Sequence, residues 1–531
     1  MFRVIVFVAV VSQYCAADGL KNPVQQRVTE IWQNLQTATV RVRSGSDISS
    51  GVIVSGSGLI LTVAHGLKPG SDTATVVFAN GSTCEAKRVL VDGQEDVALL
   101  AMNVESLTDV NWSTVRLPVV EDSEAAEVVV ASGLPAREPD GKGPVVRLGE
   151  ILAVDRAALK TSCTLTSGDS GGPLVNSYGE LIGLHRQIGV GAESNGHVAV
   201  AAIRAALEKS EHWKMLTQHT AERSGAKLLS KDLMASPQVV AAASRATVAI
   251  HGTTADGESA VRILGTLLDD SHVATKLSEV AQYHALKCQF ADGSTIVTAM
   301  SKSDRTLDLA ILKLARPHDD GKPRYAAESD QQTEVRFRSQ IVYGATSLTD
   351  ISRAGMIGRV GYHEPALRAR FGATMQASAE RVRITELSPN GSAVLAGLQD
   401  GDELIRVDGA AVTSLTGVGD LLLARQPGDW ISIDVERAMK QFSVQAKLQH
   451  DPGQQFEETE FLDGRTGRVS QRRSGFQAVL QHAIALEPDT CGGPLFDIDG
   501  HLIAINIARR ARESTLAIPI EDVLTAAERV E

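Results

Sequence analysis

From about Val24 to Leu216 the chain is a succession of short β-branched runs broken by Gly, Asn, Asp and Ser. Ala38–Val42, Gly51–Ser55, Leu59–Val63, Ala74–Phe78, Val97–Met102, Glu127–Ser132, Val145–Val154 and Leu181–His185 are the clearest. Many short strands at close spacing, separated by turn residues, predict a β-barrel or sandwich. The stretch Val200–Leu216 is Ala-rich with helical periodicity and is expected to close this module. Around Thr217–Gln238 the chain turns polar, loses the strand pattern and reads as a linker.

The first pattern then returns. Phe78-Ala79-Asn80-Gly81-Ser82-Thr83 recurs as Phe290-Ala291-Asp292-Gly293-Ser294-Thr295, an offset of 290 − 78 = 212. Asn-Gly and Asp-Gly at the same site predict a hairpin turn, a better reading of Asn80 than a glycosylation site. At that offset Asp96-Val97-Ala98-Leu99-Leu100 meets Asp308-Leu309-Ala310-Ile311-Leu312. The chain is therefore read as an internal duplication.

The candidate chemistry centres on Gly168-Asp169-Ser170-Gly171-Gly172-Pro173-Leu174. A serine on a tight turn of backbone-permissive residues, entering an apolar strand, suits a nucleophile that a base must activate. The amides of Gly168 and Ser170 could point into one small space and hold an oxyanion. Leu61-Thr62-Val63-Ala64-His65 puts a histidine at the end of one apolar run, and Asp96 stands at the entry of another. An imidazole base with a carboxylate fixing its tautomer is what such a serine needs. His, Asp, Ser is one of the chain orders in which this constellation occurs.

With Ser50–Val54, Leu61–His65, Asp96–Leu100, Gly168–Leu174 and Gly179–Gly183, this module resembles the HtrA (DegP-like) branch of the chymotrypsin-fold serine proteases. The resemblance implies two six-stranded β-barrels with His65, Asp96 and Ser170 in the cleft between them. One departure is Asp169, where HtrA enzymes usually carry Asn. Trypsins pair that acid with a freed N-terminal amine, and here Arg186 and Arg147 are the candidate partners. The residue six before the nucleophile, at the base of the primary pocket in trypsin-like enzymes, is Thr164. Without an acid there, a small or medium apolar substrate side chain is expected rather than Lys or Arg.

In the second copy the corresponding motif is Asp489-Thr490-Cys491-Gly492-Gly493-Pro494-Leu495, and at the fixed offset Leu61–His65 corresponds to Val273–Leu277, which lacks a histidine. This copy is expected to be a pseudoprotease. It is also interrupted. Arg383-Ile384-Thr385-Glu386-Leu387-Ser388-Pro389-Asn390-Gly391 and Ala396-Gly397-Leu398-Gln399-Asp400-Gly401-Asp402-Glu403-Leu404 resemble a PDZ domain of the bacterial protease type. The resemblance implies a helix at Leu415–Arg425, strands at Trp430–Arg437 and Gln441–Leu448, and a peptide-carboxylate loop at Phe371-Gly372-Ala373. The alternative is a PDZ fold kept only as a rigid spacer. The expected organisation is mainly β: signal peptide 1–17, trypsin-like domain 22–216, linker 217–238, and a degenerate copy at 239–363 and 453–531 interrupted by a PDZ domain at 364–452.

Composition narrows the function. The 531 residues are too many for one domain. Lys+Arg 52 against Asp+Glu 64, with no basic block, argues against nucleic-acid binding. Arg3, the apolar run Val4–Val11 and Cys15-Ala16-Ala17 read as a secretory signal, hence an exported protein, periplasmic or secreted. No stretch looks transmembrane. Of the 5 cysteines, Cys84, Cys163, Cys288 and Cys491 would remain, too scattered for a disulfide framework or a metal site. Neither a cofactor nor a metal is implied. The expected partners are polypeptide substrates and, at the PDZ segment, C-terminal peptides; a homo-oligomer is compatible with the sequence. The favoured function is an exported serine endopeptidase acting on unfolded or exposed polypeptide. The alternative is a chaperone-like or scaffold protein with a latent protease module.

Overall fold

The computed structural model describes residues 22–529, apart from 105–106, 108–109, 190–193, 218–222, 224, 255–259, 319–322, 326–336, 338, 379–380 and 451–467. The signal expected at 1–17 lies outside these residues. Two compact units are present, one built mainly from residues up to Met234 and the other mainly from Ala235 onward.

The first unit opens with a helix that the strand-rich reading did not foresee, α1 (Pro23–Ala38). The Asn22 side chain accepts from the amides of Val24 and Gln25, and Pro23 occupies the first helical turn. Val28, Ile31 and Leu35 recur at helical spacing and are buried. The chain then forms β1 (Thr39–Ser44), β2 (Asp47–Ile53), β3 (Leu59–Thr62), β4 (Thr73–Val77), β5 (Thr83–Asp92) and β6 (Val97–Met102), closed into a barrel in the order β1-β2-β3-β6-β5-β4. Alternate residues such as Val40 and Val42, or Ala98 and Leu100, fill its interior. A second closed barrel comprises β7 (Val128–Gly133), β8 (Val145–Val154), β9 (Ala158–Thr161), β10 (Pro173–Asn176), β11 (Leu181–Gln187) and β12 (Asn195–Ala199), in the cyclic order β7-β8-β9-β12-β11-β10. Helix α2 (Val200–Leu207) leaves β12 directly and ends earlier than the periodicity predicts, with a further short helix at Trp213–Thr217. Closure removes unpaired strand edges.

The segment expected as a linker is strapped to this unit. Arg223 pairs with Asp122 and Glu180, and Lys227 with Asp122 and Glu124. The Ser230 amide and hydroxyl both donate to the Ala126 carbonyl. Arg223 and Lys227 thus serve ion pairs on this unit's surface rather than solvation of a free tether.

The second unit repeats the scheme. After α3 (Pro237–Ala246), β13 (Thr247–Thr253), β14 (Ala260–Leu267), β15 (His272–Lys276), β16 (His284–Gln289), β17 (Thr295–Asp304) and β18 (Leu309–Leu314) close in the order β13-β14-β15-β18-β17-β16, that of the first barrel. The fourth barrel holds β19 (Ile341–Gly344) and β20 (Gly355–Glu364). The chain then leaves it for a sheet built on β22 (Ala373–Ser378), β23 (Arg381–Leu387), β24 (Glu403–Val407), β26 (Trp430–Arg437) and β27 (Lys440–Lys447). The short β25 (Ala410–Ala411) pairs with β24, and β21 (Ala369–Arg370) with β28 (Gln449–His450). Helix α4 (Leu415–Leu423) lies beside this sheet, which has its own core around Val382, Ile384, Ile431 and Ile433. The barrel is completed by β29 (Phe476–His482), β30 (Pro494–Asp497), β31 (Leu502–Ala511) and β32 (Ser514–Pro519), followed by α5 (Ile520–Arg529). Its order is β19-β20-β29-β32-β31-β30. The order matches the second barrel with β29 in the place of β9, so the inserted domain occupies the hairpin that in the first unit is the tight turn between β8 and β9.

Candidate active site

Beyond Thr62 the chain leaves β3 through Val63 into a 3₁₀ turn at Ala64–Gly66, which presents His65 with its side chain 49% exposed. Asp96 immediately precedes β6. The Asp92 carboxylate holds the preceding turn by accepting from the amides of Gln94 (3.0 Å) and Glu95 (3.2 Å). Asp96 itself has φ +58°, a left-handed conformation that Asp tolerates better than most residues. Its Oδ2 lies 2.8 Å from His65 Nδ1, and its Oδ1 accepts from the His65 amide at 3.0 Å. Burial would raise the Asp96 carboxyl, but the His65 hydrogen bonds and the nearby Arg186 outweigh it and hold the group below its ordinary value. The ionised carboxylate therefore orients the imidazole, while Nε2 makes no hydrogen bond among the described residues.

Ser170 lies in the turn between Thr166 and β10. Gly168 has φ +91°, and a Cβ there would meet the Ala136 amide at 2.3 Å. A Cβ on Gly171 (φ +84°) would lie 2.3 Å from both the Ser50 carbonyl and Thr62 Oγ1, and 3.0 Å from the Val63 amide. The Ser170 turn is thus seated on the middle of β2 and the end of β3, two residues before His65. The Ser50 amide donates to the Ser170 carbonyl (2.7 Å) and Ser50 Oγ to the Gly168 carbonyl (2.7 Å). The amides of Gly168 and Ser170 donate to no protein acceptor among the described residues. Two unspent donors flanking a hydroxyl are what an oxyanion site requires. No hydrogen bond joins Ser170 Oγ to His65 in this structure.

The partner of Asp169 is Arg147, from β8. Nη1 stands 2.9 Å from Asp169 Oδ2, with side-chain exposures of 0% and 1%. The two form a buried ion pair. Asp169 Oδ2 also accepts from the Thr166 amide at 2.8 Å. Arg186, the other sequence candidate, has its Nε 3.3 Å from Asp96 Oδ2. A buried Arg inside the apolar run Val145-Val146-Arg147-Leu148 is the signal that could have decided between them, since a buried charge needs a buried partner. Thr164 is buried close to Cys163, whose carbonyl accepts from Asn195 Nδ2 at 2.9 Å. Residues 190–193, which follow β11, lie outside the described residues.

Residues 49–184 match the trypsin-like peptidase domain family, and residues 369–448 match the PDZ domain family. The chain is 32% identical over 149 residues to Serine endoprotease DegS of Haemophilus influenzae, 26% of this chain and 41% of that protein. It is 32% identical over 156 residues to a Probable periplasmic serine endoprotease DegP-like of Pseudomonas fluorescens, 28% of this chain and 31% of that protein. A Probable periplasmic serine protease do/HhoA-like of Haemophilus influenzae aligns at 22% identity over 72% of this chain and 74% of its own length. The protein is HtrA-like, with a PDZ domain. The chain spans less than half the length of the first two of these relatives.

In this HtrA-like chain the second unit carries a changed version of the site, and here the fixed offset needs a correction. Leu61 pairs with Leu99, and Ala274 with Ile311, so β15 is displaced by one residue from the offset of 212. The counterpart of His65 is therefore Ser278, not Leu277. Ser278 confirms this by its bonds: its amide and Oγ donate to the two oxygens of Asp308 at 2.7 and 2.8 Å. Asp308 keeps the left-handed backbone of Asp96, with φ +55°. Lys276 is fully buried, with Nζ 3.6 Å from Asp308 Oδ2 and donating to the Arg472 carbonyl at 2.7 Å. Burial pushes the Asp308 carboxyl up to about 6, with Lys276 and Arg472 pulling against it. Cys491 is fully buried, 3.9 Å from Ser470 Oγ, and burial pushes its thiol up. A buried thiol of raised pKa is a poor nucleophile. His482 and His272 are engaged elsewhere, the first with Asn506 and the second with Asp269.

The PDZ domain touches this altered region. Trp430 Nε1 donates to the Ser278 carbonyl at 3.0 Å, Arg305 pairs with Asp408 at 3.2 Å, and Lys447 with Glu279 at 3.5 Å. In the loop Phe371-Gly372-Ala373, Gly372 has φ +78°, and the Phe371 and Gly372 amides donate to no acceptor among the described residues. β22 follows as an edge strand, bonded among the described residues only to β23. A cavity lined by Leu367, Arg368, Arg370, Leu422, Leu423 and Gln426 lies between the start of this loop and the end of α4.

Proposed function

We propose that the chain is an exported serine endopeptidase of the HtrA type, acting on unfolded or exposed polypeptide at its first unit. The observation that carries this reading is the His65–Asp96 pair at 2.8 Å beside a serine turn whose two flanking amides are unspent. Ser170 Oγ attacks the scissile carbonyl, and His65 Nε2 takes its proton and later returns it to the leaving amine. Asp96 fixes the tautomer and stabilises the imidazolium. The Gly168 and Ser170 amides bind the oxyanion. The second unit is a pseudoprotease, and its PDZ domain binds extended C-termini through the Phe371–Ala373 amides and the free edge of β22. The fluorophosphonate reaction is the test: labelling of the parent at Ser170 supports the reading.

A second reading, a binding or scaffold protein with a latent site, is favoured by one observation, the absence of a Ser170–His65 hydrogen bond. Catalytic contacts in unliganded enzymes are often long and tighten on substrate binding. Absence of labelling in every ligand state, with unfolded protein or C-terminal peptides present, would favour the latent reading.

Thr164 makes the substrate prediction. With a hydroxyl and no carboxylate at that position, nothing there compensates a buried Lys or Arg charge. Cleavage sites mapped by mass spectrometry on an unfolded protein should cluster after small or medium apolar residues. A majority after Lys or Arg would refute this.

A further inference from the structure

We propose that Arg147 is a positioning residue that holds the Gly168–Ser170 turn in its oxyanion-binding shape through Asp169, from within the fold and without a freed N-terminal amine. The proposal rests on the peptidase reading of Ser170.

The geometry is that of an internal strut. Asp169 lies between the two residues whose amides would bind the oxyanion. Its carboxylate is withdrawn from solvent and fixed from three sides. The Thr166 amide donates to Oδ2, Arg147 Nη1 stands 2.9 Å from the same oxygen, and Oδ1 presses on β7 at Gly133. A Cβ added to Gly133 would fall 2.3 Å from Asp169 Oδ1, so only glycine leaves room for the carboxylate. Arg147 projects from β8, a strand of a closed barrel, and is 0% exposed. The turn is therefore referred to a rigid element, not to a chain end. Its other tethers, from Ser50 and His185, bind backbone atoms of the turn and do not engage the Asp169 side chain.

The charged and titratable groups around Asp169 define the pH behaviour. Arg147 from β8 and Arg137 from the loop after β7 are the cations acting on it. His185 of β11 lies behind the turn, its Nδ1 3.0 Å from His197 Nδ1 of β12, and burial keeps both histidines far below the usual imidazole range, hence neutral. Burial raises the Asp169 carboxyl, and Arg147 opposes that rise. If the Arg147 charge is removed, the protonated acid is favoured. Ionisation then leaves an uncompensated carboxylate under the oxyanion site, so the damage should grow as pH rises.

The experiment compares Arg147→Met, Asp169→Asn and the double variant with the parent, in the full chain. It reads fluorescent-casein cleavage, with kcat and KM separated, and the rate of fluorophosphonate labelling. Arg147→Met should lose about 10²-fold in kcat at about pH 8 with KM little changed, the scale of a lost oxyanion donor. The loss should be smaller at about pH 6 than at about pH 8, because the protonated acid is tolerated. Asp169→Asn alone should also lose activity, since it leaves Arg147 buried without its partner. The double variant should regain at least about tenfold over either single variant, with a pH-independent ratio to the parent. Three results would each overturn the proposal: Arg147→Met at parental kcat across the pH range, a loss that is flat with pH, or a folded double variant no better than the singles. Where Arg147→Met fails to fold by circular dichroism, Asp169→Asn decides against the double variant: a kcat loss in Asp169→Asn that the double variant partly restores supports the strut, and a parental Asp169→Asn or a double variant no better than it refutes the strut. A parent that neither cleaves casein nor labels at Ser170 sinks the peptidase reading, and the strut falls with it.

Discussion

Ser170→Ala will lose casein cleavage and fluorophosphonate labelling, by about 10⁴–10⁶-fold in kcat, while Cys491→Ala leaves both at the parental level. The two residues occupy corresponding turns, each followed by Gly-Gly-Pro-Leu, yet their surroundings differ in every term that nucleophilic catalysis uses. Beside the first stand His65, bound to an ionised Asp96, and two unspent amides. Beside the second stand Ser278 in place of His65, Asp489 in place of Gly168, and a thiol whose pKa burial raises. Ser470 and Arg472, on the segment returning from the PDZ domain, lie over the cysteine and over Lys276. A substrate carbonyl has no path to a sulfur atom that is 0% exposed. If Cys491→Ala abolished cleavage and Ser170→Ala did not, the assignment of chemistry to the first unit would be wrong.

β3, β6 and β11 were legible because their apolar residues cluster, and β1 because Val40 and Val42 alternate with Arg41 and Arg43. β5 was not, because its first half alternates the exposed Glu85 and Lys87 with the small buried Cys84 and Ala86. Helix α1 was hidden because its face of Val28, Ile31 and Leu35 is diluted by Gln and Asn, although Asn22-Pro23 is a recognisable helix start. The duplication was visible at its hairpins, where turn chemistry fixes both residue type and spacing. It was misregistered by one residue at β15, because the apolar residues there offered nothing to set the alignment until Asp308 was seen bonded to Ser278. The candidate triad could be named from residue type and order. The strut was narrowed only to Arg147 or Arg186, and the arginine set inside the apolar run Val145–Leu148 was the signal that pointed to the first.

A chain ending at about residue 455 will lose the second unit's fourth barrel while keeping Ser170-dependent activity. β19 and β20 precede the PDZ domain, and β29 to β32 follow it. Truncation removes the partners of β20 on one side and of β19 on the other, leaving two strands with open edges. It also removes Phe476, Val479, Leu480, Leu495, Phe496, Leu502, Ile505, Ile507, Leu516 and Ile518, each at most 1% exposed. At about 1.5–3 kcal/mol for each fully buried large apolar side chain, the lost burial exceeds the whole net stability of about 5–15 kcal/mol typical of a domain. Thr266, whose hydroxyl donates to the Gly492 carbonyl at 2.8 Å, would lose its partner, so the third barrel should be destabilised as well. The PDZ sheet has a separate core and should survive as a folded module. The expected result is loss of one cooperative unfolding transition, rapid trypsin digestion of residues 341–364, and protection of the first unit. A truncated chain that kept every transition and resisted digestion there would show that 476–519 is not integral to the barrel.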